Sequence, residues 1–310
     1  MGDLITMDDL TNEEILEVLD NARSLLPVAK GEVYLPLLQG KVLGNLFFEN
    51  STRTRMSFET AMKRLGGEVL NLSSIGSSVA KGETLYDTMQ MVDGYADIAV
   101  IRHPNQGAAQ YSADAVEIPI LNGGDGAGNH PTQTMLDLFT IREAHGSLEG
   151  LNVMMVGDLR YGRTTHSLSH ALVRFGAKIT LVSPESLRMP DEIVSDLKSH
   201  GGDVKETDEM SSSIDSADVI YMTRIQKERF PDEDEYVKVA GVYKLTEDDL
   251  SGAKAGMIVM HPLPRVDELH ASVDTTKHAR YFQQAFNGVT TRMALLCRSL
   301  GVEIPKKVNK

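Results

Sequence analysis

GKVLGNLFFENSTRTRMSFETAMKRLGGEVLNL, Gly40 to Leu72, is the stretch on which the fold turns. Gly40 to Asn50 is a short apolar run that reads as a strand. STRTRMSFETAMKRL then predicts a helix. Ser51 or a neighbour caps it, Met56, Phe58, Ala61, Met62 and Leu65 supply its apolar face, and Gly66-Gly67 stops it. Glu68 to Leu72 is a second strand. Strands alternating with helices argue for a parallel sheet covered on both faces.

The alternation extends outward from this unit. Upstream, residues 8–29 read as a helix capped by Asp8 or Thr11, with Leu16, Val18, Leu19 and Leu25 apolar. Downstream come a helix over about 85–94, strands at Asp97–His103 and Val116–Gly124, and a helix opened by His130-Pro131, where proline suits the first turn. The pattern restarts after Gly146. A strand at Leu151–Asp158 is followed by a helix over about 163–175, a strand over 177–184 and a helix ending near Gly201-Gly202. Then come a strand at Ala217–Thr223, a short helix in KLTEDDL, a strand running into the rigid HPLPR loop, and a last helix over about 275–300. Phe282, Ala285, Phe286, Met293, Leu296 and Leu300 form that helix's core face. The reading is an α/β chain of two doubly wound domains, each with a central parallel sheet flanked by helices. Ligands of such sheets sit outside the carboxyl ends of the strands. The polar loops all follow candidate strands, which points to an active site in the interdomain cleft.

Composition narrows the function. The chain has 310 residues, suited to two cores, and 41% hydrophobic residues. Cys297 is the single cysteine, so an intrachain disulfide and a cysteine-rich metal cluster are excluded. The N-terminal stretch lacks the features of a secretory signal, and no apolar run reaches the roughly 20 residues of a membrane span. A soluble, cytoplasmic protein with no membrane partner is expected, with 305–310 as a disordered tail. A net charge of -13 without a cluster of basic residues argues against a nucleic-acid partner. Any anion site has to be built locally, by individual arginines beside polar loops.

Such arginines stand after several of the candidate strands. Ser51, Thr52, Arg53 and Thr54 combine hydroxyls, helix N–H groups and a guanidinium, the makings of a phosphate cradle, or else an ordinary capped helix. The glycine run and Gly-Lys-Ser/Thr of a nucleotide P-loop are missing, which favours a small phosphorylated molecule. Arg102 closes the third strand. His130 is read as a neutral hydrogen-bond donor to a carbonyl oxygen or as a plain loop residue, and it has too few spaced partners for zinc. GDLRYGRTTHS, Gly157 to Ser167, lies where a dinucleotide fingerprint would, but GxGxxG and the ribose-binding acid are absent and Arg160 and Arg163 stand in the turn. Arginines there suit a carboxylate or phosphate. Arg224 and Gln226, two apart, point the same way if the chain is extended. The two prolines of HPLPR make a stiff loop whose carbonyls can accept N–H donors, and the sequence does not decide whether Pro264 is cis.

Taken together, FFENSTRTRMSFE, KGET (81–84), Arg102, HPTQT (130–134), GDLRYGRTTHSL (157–168), TRIQKER (223–229) and HPLPR (261–265) resemble the aspartate/ornithine carbamoyltransferases from about Leu4 to Leu300. The aspartate branch is the closer, because Thr132 and Pro262 stand where ornithine-type relatives usually carry cysteine. An ornithine or other amino-acid carbamoyltransferase is the alternative. The resemblance implies carbamoyl transfer from carbamoyl phosphate to L-aspartate, in de novo pyrimidine synthesis, with no cofactor and no metal. It implies a carbamoyl-phosphate domain over 1–146, with a C-terminal helix at about 285–304 packing back onto it, and an aspartate domain over 147–284. By the same resemblance Ser51, Thr52, Arg53, Thr54 and Arg102 grip the phosphate and His130 polarises the carbonyl. Gln133 and the carbonyls of Leu263 and Pro264 hold the carbamoyl amide. Arg163, Arg224, Gln226 and Lys81 bind aspartate. Ser77 and Lys81 come from a neighbouring subunit of a homotrimer, and Glu49, Glu228 and Arg229 hold the closed domains. Whether trimers pair through regulatory chains into a dodecameric holoenzyme stays open.

Overall fold

The computed structural model describes residues 2–73, 78–126, 128–225, 236, 239 and 241–306. The chain divides into two compact units, Met1–Phe139 with Ala285–Lys310, and Thr140–Gln284. Both are parallel α/β layers, so the doubly wound reading of two domains holds.

In the first unit the strands are β1 (Val42–Phe47), β2 (Glu68–Ser73), β3 (Ile98–His103) and β4 (Ile120–Asp125), in the spatial order β2-β1-β3-β4 and all parallel. Leu46, Ala99, Ile101 and Ile120 share a core with Met89, Val92 and Ala109. Each fully buried Leu or Ile contributes about 1.5–3 kcal/mol. The first unit's helices are α1 (Asn12–Ser24), α2 (Leu26–Ala29), α3 (Arg53–Arg64), α4 (Leu85–Asp93) and α5 (Ala108–Ala115). Thr11, not Asp8, caps α1, accepting the Glu14 N–H at 3.2 Å while Glu14 accepts the Thr11 N–H at 2.9 Å. The predicted helix over 8–29 is therefore a 3-10 turn, Met7–Asp9, followed by α1 and α2.

The second unit holds β5 (Asn152–Val156), β6 (Lys178–Val182), β7 (Asp203–Thr207), β8 (Val219–Met222) and β9 (Ile258–Met260), again all parallel, in the order β7-β6-β5-β8-β9. Met154, Val156, Ile220, Met222 and Val259 pack with Leu245, Leu269, Val273 and Tyr281. Helices α7 (Arg163–Val173) and α8 (Asp191–Ser199) belong to this unit; α6 (Pro131–His145) and α9 (Tyr281–Leu300) carry the chain from one unit into the other. Within the first unit, Arg298 of α9 pairs with Glu14 at 2.8 Å and Thr290 donates to the Ala22 carbonyl at 2.5 Å.

Three core assignments are corrected. Met56 is 57% exposed, because it lies about 200° around the helix from Phe58 and cannot share its face. Leu16 is 37% exposed on α1. Phe282, 58% exposed, meets the buried Tyr281 ring edge-on, with ring centres 4.9 Å apart.

Each sheet reverses strand order at one place: between β1 and β3 in the first unit, and between β5 and β8 in the second. At the latter, Gly157 follows β5 with φ 120°, and a Cβ there would lie 2.2 Å from the backbone oxygen of Thr223. That oxygen belongs to a chain held by two bonds to the Val156 carbonyl, from Thr223 N–H at 2.8 Å and its hydroxyl at 3.0 Å, so it cannot yield cheaply. Gly157→Ala should lower unfolding free energy by about 3 kcal/mol or more. Gly256→Ala, with nothing within 4 Å, should change it by less than about 0.5 kcal/mol in the same urea titration.

Candidate active site

At the first switch point Phe47 of β1 lies beside Arg102 of β3, and the Phe48 N–H donates to the Arg102 carbonyl at 2.8 Å. The chain leaves β1 through Glu49 to Thr52 and enters α3 at Arg53. Among the described residues no side chain caps α3, contrary to the expected role of Ser51 or a neighbour: Thr52 occupies the cap position in a helical conformation without the bond. The first-turn N–H groups therefore face outward with the partial positive charge of the helix end. Arg53 is exposed, Thr54 buried. Arg102 is aimed by two tethers, Nη2 to Glu49 Oε2 at 2.9 Å and Nη1 to the Gly123 carbonyl at 3.3 Å. A helix N-terminus, an exposed arginine and a tethered arginine thus meet beside one strand end. Such a set of groups suits a phosphate.

His130 is buried at the start of α6, its Nδ1 3.4 Å from the Thr132 hydroxyl. The turn before it is built by Asp125, whose carboxylate accepts the N–H groups of Gly107 (2.9 Å) and Asn129 (2.7 Å). One turn on, Gln133 donates from Nε2 to Asp137 at 3.0 Å, which turns its amide oxygen away from the carboxylate. Behind them lies Arg292 of α9, 2% exposed, its guanidinium 5.0 Å from the Phe58 ring centre. Burial pulls the Arg292 pKa down to about 9, the Asp137 carboxylate opposes this, and the charge of Arg102 adds to the fall. It stays charged at neutral pH and adds positive potential near Arg102.

The second unit presents its arginines in the same topological place. Val156 pairs with Met222, and α7 opens with Arg163 while Arg224 follows β8. Asp158, fully buried, accepts the Tyr161 N–H at 2.9 Å and shapes the turn. Arg160 instead reaches the Ser186 carbonyl at 3.3 Å at the surface. The loop His261–Arg265 leaves β9, next to β8. Its Leu263-Pro264 bond is cis, and Leu263 has φ 58°, left-handed backbone that bulky residues rarely adopt. Arg265 anchors the loop with both terminal guanidinium nitrogens on Asp274 (Nη2 to Oδ2 at 2.7 Å, and Nη1 to Oδ1), and the Tyr281 hydroxyl donates to the same carboxylate. The rings of Tyr281 and Phe282 lie 5.4 and 5.6 Å from the guanidinium carbon.

Residues 2–143 match the family model described as the aspartate/ornithine carbamoyltransferase carbamoyl-P binding domain, and residues 149–298 match the Asp/Orn binding domain of the same proteins. The chain belongs to the aspartate/ornithine carbamoyltransferase family. It is 55% identical over 297 residues to the aspartate carbamoyltransferase catalytic subunit of Archaeoglobus fulgidus, covering 96% of this chain and 98% of that one. The catalytic subunit of M. jannaschii aspartate transcarbamoylase superposes with a TM-score of 0.91 at 49% identity, covering 97% and 98% of the two chains. The Trypanosoma cruzi aspartate transcarbamoylase in complex with carbamoyl phosphate and aspartate gives 0.90 at 39% identity, covering 95% of each.

Among the residues the sequence singled out in this carbamoyltransferase, Ser51, Thr52, Arg53, Thr54, Arg102 and Glu49 gather at the first switch point. His130 and Gln133 stand at the start of α6, after β4; Arg163 and Arg224 follow β5 and β8 at the second switch point, and Leu263 and Pro264 follow β9, the neighbour of β8. Lys81 is exposed at the end of a 3-10 turn, Ser78–Lys81. Ser77, Gln226, Glu228 and Arg229 lie outside the described residues. Sequence reasoning missed the supports: Asp137, Arg292, Glu268 and Asp274. Only Asp137 left a trace, four residues after Gln133 on a helix.

The hydrogen bond from Arg265, against an opposing push from burial and with help from the Tyr281 hydroxyl, holds the Asp274 carboxyl below its usual range. A depressed folded pKa adds stability above the unfolded value, about 3.9, and that stability is lost as pH falls through the folded value. Asp274→Asn should therefore destabilise by about 1–2 kcal/mol near neutrality. Its unfolding midpoint should fall less steeply than that of the unsubstituted protein below about pH 4, as read from denaturant titrations at stepped pH.

Proposed function

We infer that the protein transfers the carbamoyl group of carbamoyl phosphate to the amino group of L-aspartate, giving N-carbamoyl-L-aspartate and phosphate, the carbamoylation step of pyrimidine synthesis. The observation that carries this reading is the placement of cations at both switch points. The first unit has a helix N-terminus with Arg53 and Arg102, suited to a phosphate; the second has Arg163 and Arg224, suited to two carboxylates. Ornithine presents an ammonium group to the second set and would be repelled by it.

In this reading the neutral amine attacks the carbamoyl carbon, and charge develops on the carbonyl oxygen. Arg53, Thr54, Arg102 and His130 stabilise it there. The carbon–oxygen bond to phosphate then breaks. The leaving phosphate is held by Ser51, Thr52, Arg53 and Arg102 and takes the proton lost by the amine, so no side-chain base is needed. Gln133 and the Leu263 and Pro264 carbonyls hold the carbamoyl N–H groups. Cys297 has no part: it is fully buried and burial pushes its thiol up to about 12. Aspartate is held by Arg163, Arg224, Gln226 and Lys81, and fixing two small reactants in line supplies much of the rate. Glu49, paired with Arg102, acts with Glu228 and Arg229 in the closed arrangement of the domains.

The same reading makes the active form a cytoplasmic homotrimer in which Ser77 and Lys81 serve a neighbour's site. The exposure of Lys81 supports this. That the relatives carry the name catalytic subunit supports association with a regulatory chain in a larger holoenzyme.

The purified chain, given carbamoyl phosphate, should form carbamoyl-aspartate and phosphate in equal amounts and use L-ornithine at least about a hundredfold less efficiently. Preference for ornithine would overturn the acceptor assignment. Light scattering coupled to gel filtration should find three chains per particle, and a fully active monomer would overturn the shared site.

A further inference from the structure

The HPLPR loop carries a buried pair that the reaction scheme above does not use. His261 is 1% exposed and Glu268 8% exposed. The Leu263 N–H donates to His261 Nδ1 at 2.8 Å. A backbone N–H only donates, so Nδ1 carries no proton and the imidazole is neutral with its hydrogen on Nε2. Nε2 lies 2.7 Å from Glu268 Oε1 and donates to it. Glu268 also accepts the Val266 N–H at 3.2 and 3.3 Å, and the His261 N–H donates to Gln284 at 2.9 Å. Burial pushes the Glu268 carboxyl up, but the bonds from His261 and the backbone outweigh it and keep it ionised.

The direction of this relay matters. An ionised Glu268 accepts only, so it fixes the proton on Nε2. That leaves Nδ1 as an acceptor for the Leu263 N–H, which holds Leu263 in its left-handed conformation. With its ψ, that φ sets the angle between the two peptide planes that meet at Leu263; the second plane carries the Leu263 carbonyl and leads into Pro264, whose ring restricts the direction in which the next carbonyl leaves.

We propose that His261 and Glu268 are a positioning pair that aims these two carbonyls, and thereby sets the preference of the acyl-phosphate site for an amide nitrogen over a methyl group. The proposal rests on the carbamoyl reading of the site. Acetyl phosphate is the discriminating probe: it has the same phosphate and carbonyl, with a methyl group in place of the amide.

The test compares kcat/KM for carbamoyl and acetyl phosphate, with aspartate as acceptor, in the unsubstituted protein, His261→Asn and His261→Gln. Asparagine places an oxygen near the position of Nδ1 and keeps an acceptor for Leu263; glutamine places its amide near Nε2, keeps the bond to Glu268 and loses that acceptor. The preference for carbamoyl phosphate should fall about five- to tenfold in His261→Gln and less than about twofold in His261→Asn. An equal loss on both donors in His261→Gln would mean a structural role only and overturn the proposal, as would a lower preference in His261→Asn than in His261→Gln. No transfer by the unsubstituted protein would instead overturn the carbamoyl reading itself. Independently of any variant's folding, nitrogen-15 spectra of the histidine-labelled protein should show the His261 ring neutral with hydrogen on Nε2. A cationic ring or hydrogen on Nδ1 overturns the proposal.

Discussion

A chain of net charge -13 that gathers anions must do so within the reach of single cations. At physiological ionic strength fields between exposed charges fade over about 8 Å, so the distant acidic surface does little harm to a guanidinium in contact with its ligand, and it gives no help. What matters is that each cation be aimed. In the first unit Glu49 and the Gly123 carbonyl aim Arg102, while Arg292 lies buried behind it, balanced by Asp137. In the second, Asp274 holds Arg265. Part of the acidic excess is thus spent on orientation, and the same carboxylates limit repulsion among crowded arginines.

The fold makes this economical. A parallel sheet reverses strand order once, and at that place two neighbouring loops diverge and leave room for a ligand. Placing Arg102 next to the end of β1 needs nothing more than the register Phe47 to Arg102; placing Arg224 next to the Gly157 turn needs only Val156 to Met222. The pairing of strands inside each core, which apolar burial fixes, therefore also fixes which polar residues meet.

This explains what could be read in the sequence. The buried strands β1, β3, β5 and β8 are mostly apolar runs, and the loops after them carry the proposed site residues, so both could be picked out. Two elements left no signal. Strand β7, DVKET, lies at the edge of its sheet with mostly polar, exposed side chains, and α5, AAQYSADA, is too short and too poor in large apolar residues to show a period. Phe282 read as core because an aromatic ring at helical spacing suggests burial, but it is exposed, edge-on to Tyr281 and against the Arg265 guanidinium. The supporting carboxylates were invisible for another reason. Glu268 stands seven residues from His261 and Asp274 nine from Arg265 across irregular chain, and no periodicity connects such pairs. Only the folded loop brings them together.

The HPLPR loop shows why an arginine-rich site needs something besides charge. A carbamoyl group differs from other acyl groups by its N–H donors, and cations cannot accept them. A carboxylate could, but its full negative charge would neutralise the guanidinium groups and repel phosphate. Backbone carbonyls accept without a net charge. Proline at 262 and 264 removes two N–H groups, and Leu263, with φ 58°, turns the chain between them. The one N–H left inside the Pro-Leu-Pro run, that of Leu263, is bound to His261. The loop thus offers acceptors on a backbone stripped of competing donors. That property rests on two prolines and an imidazole held in one tautomer, which a description by charge alone would miss.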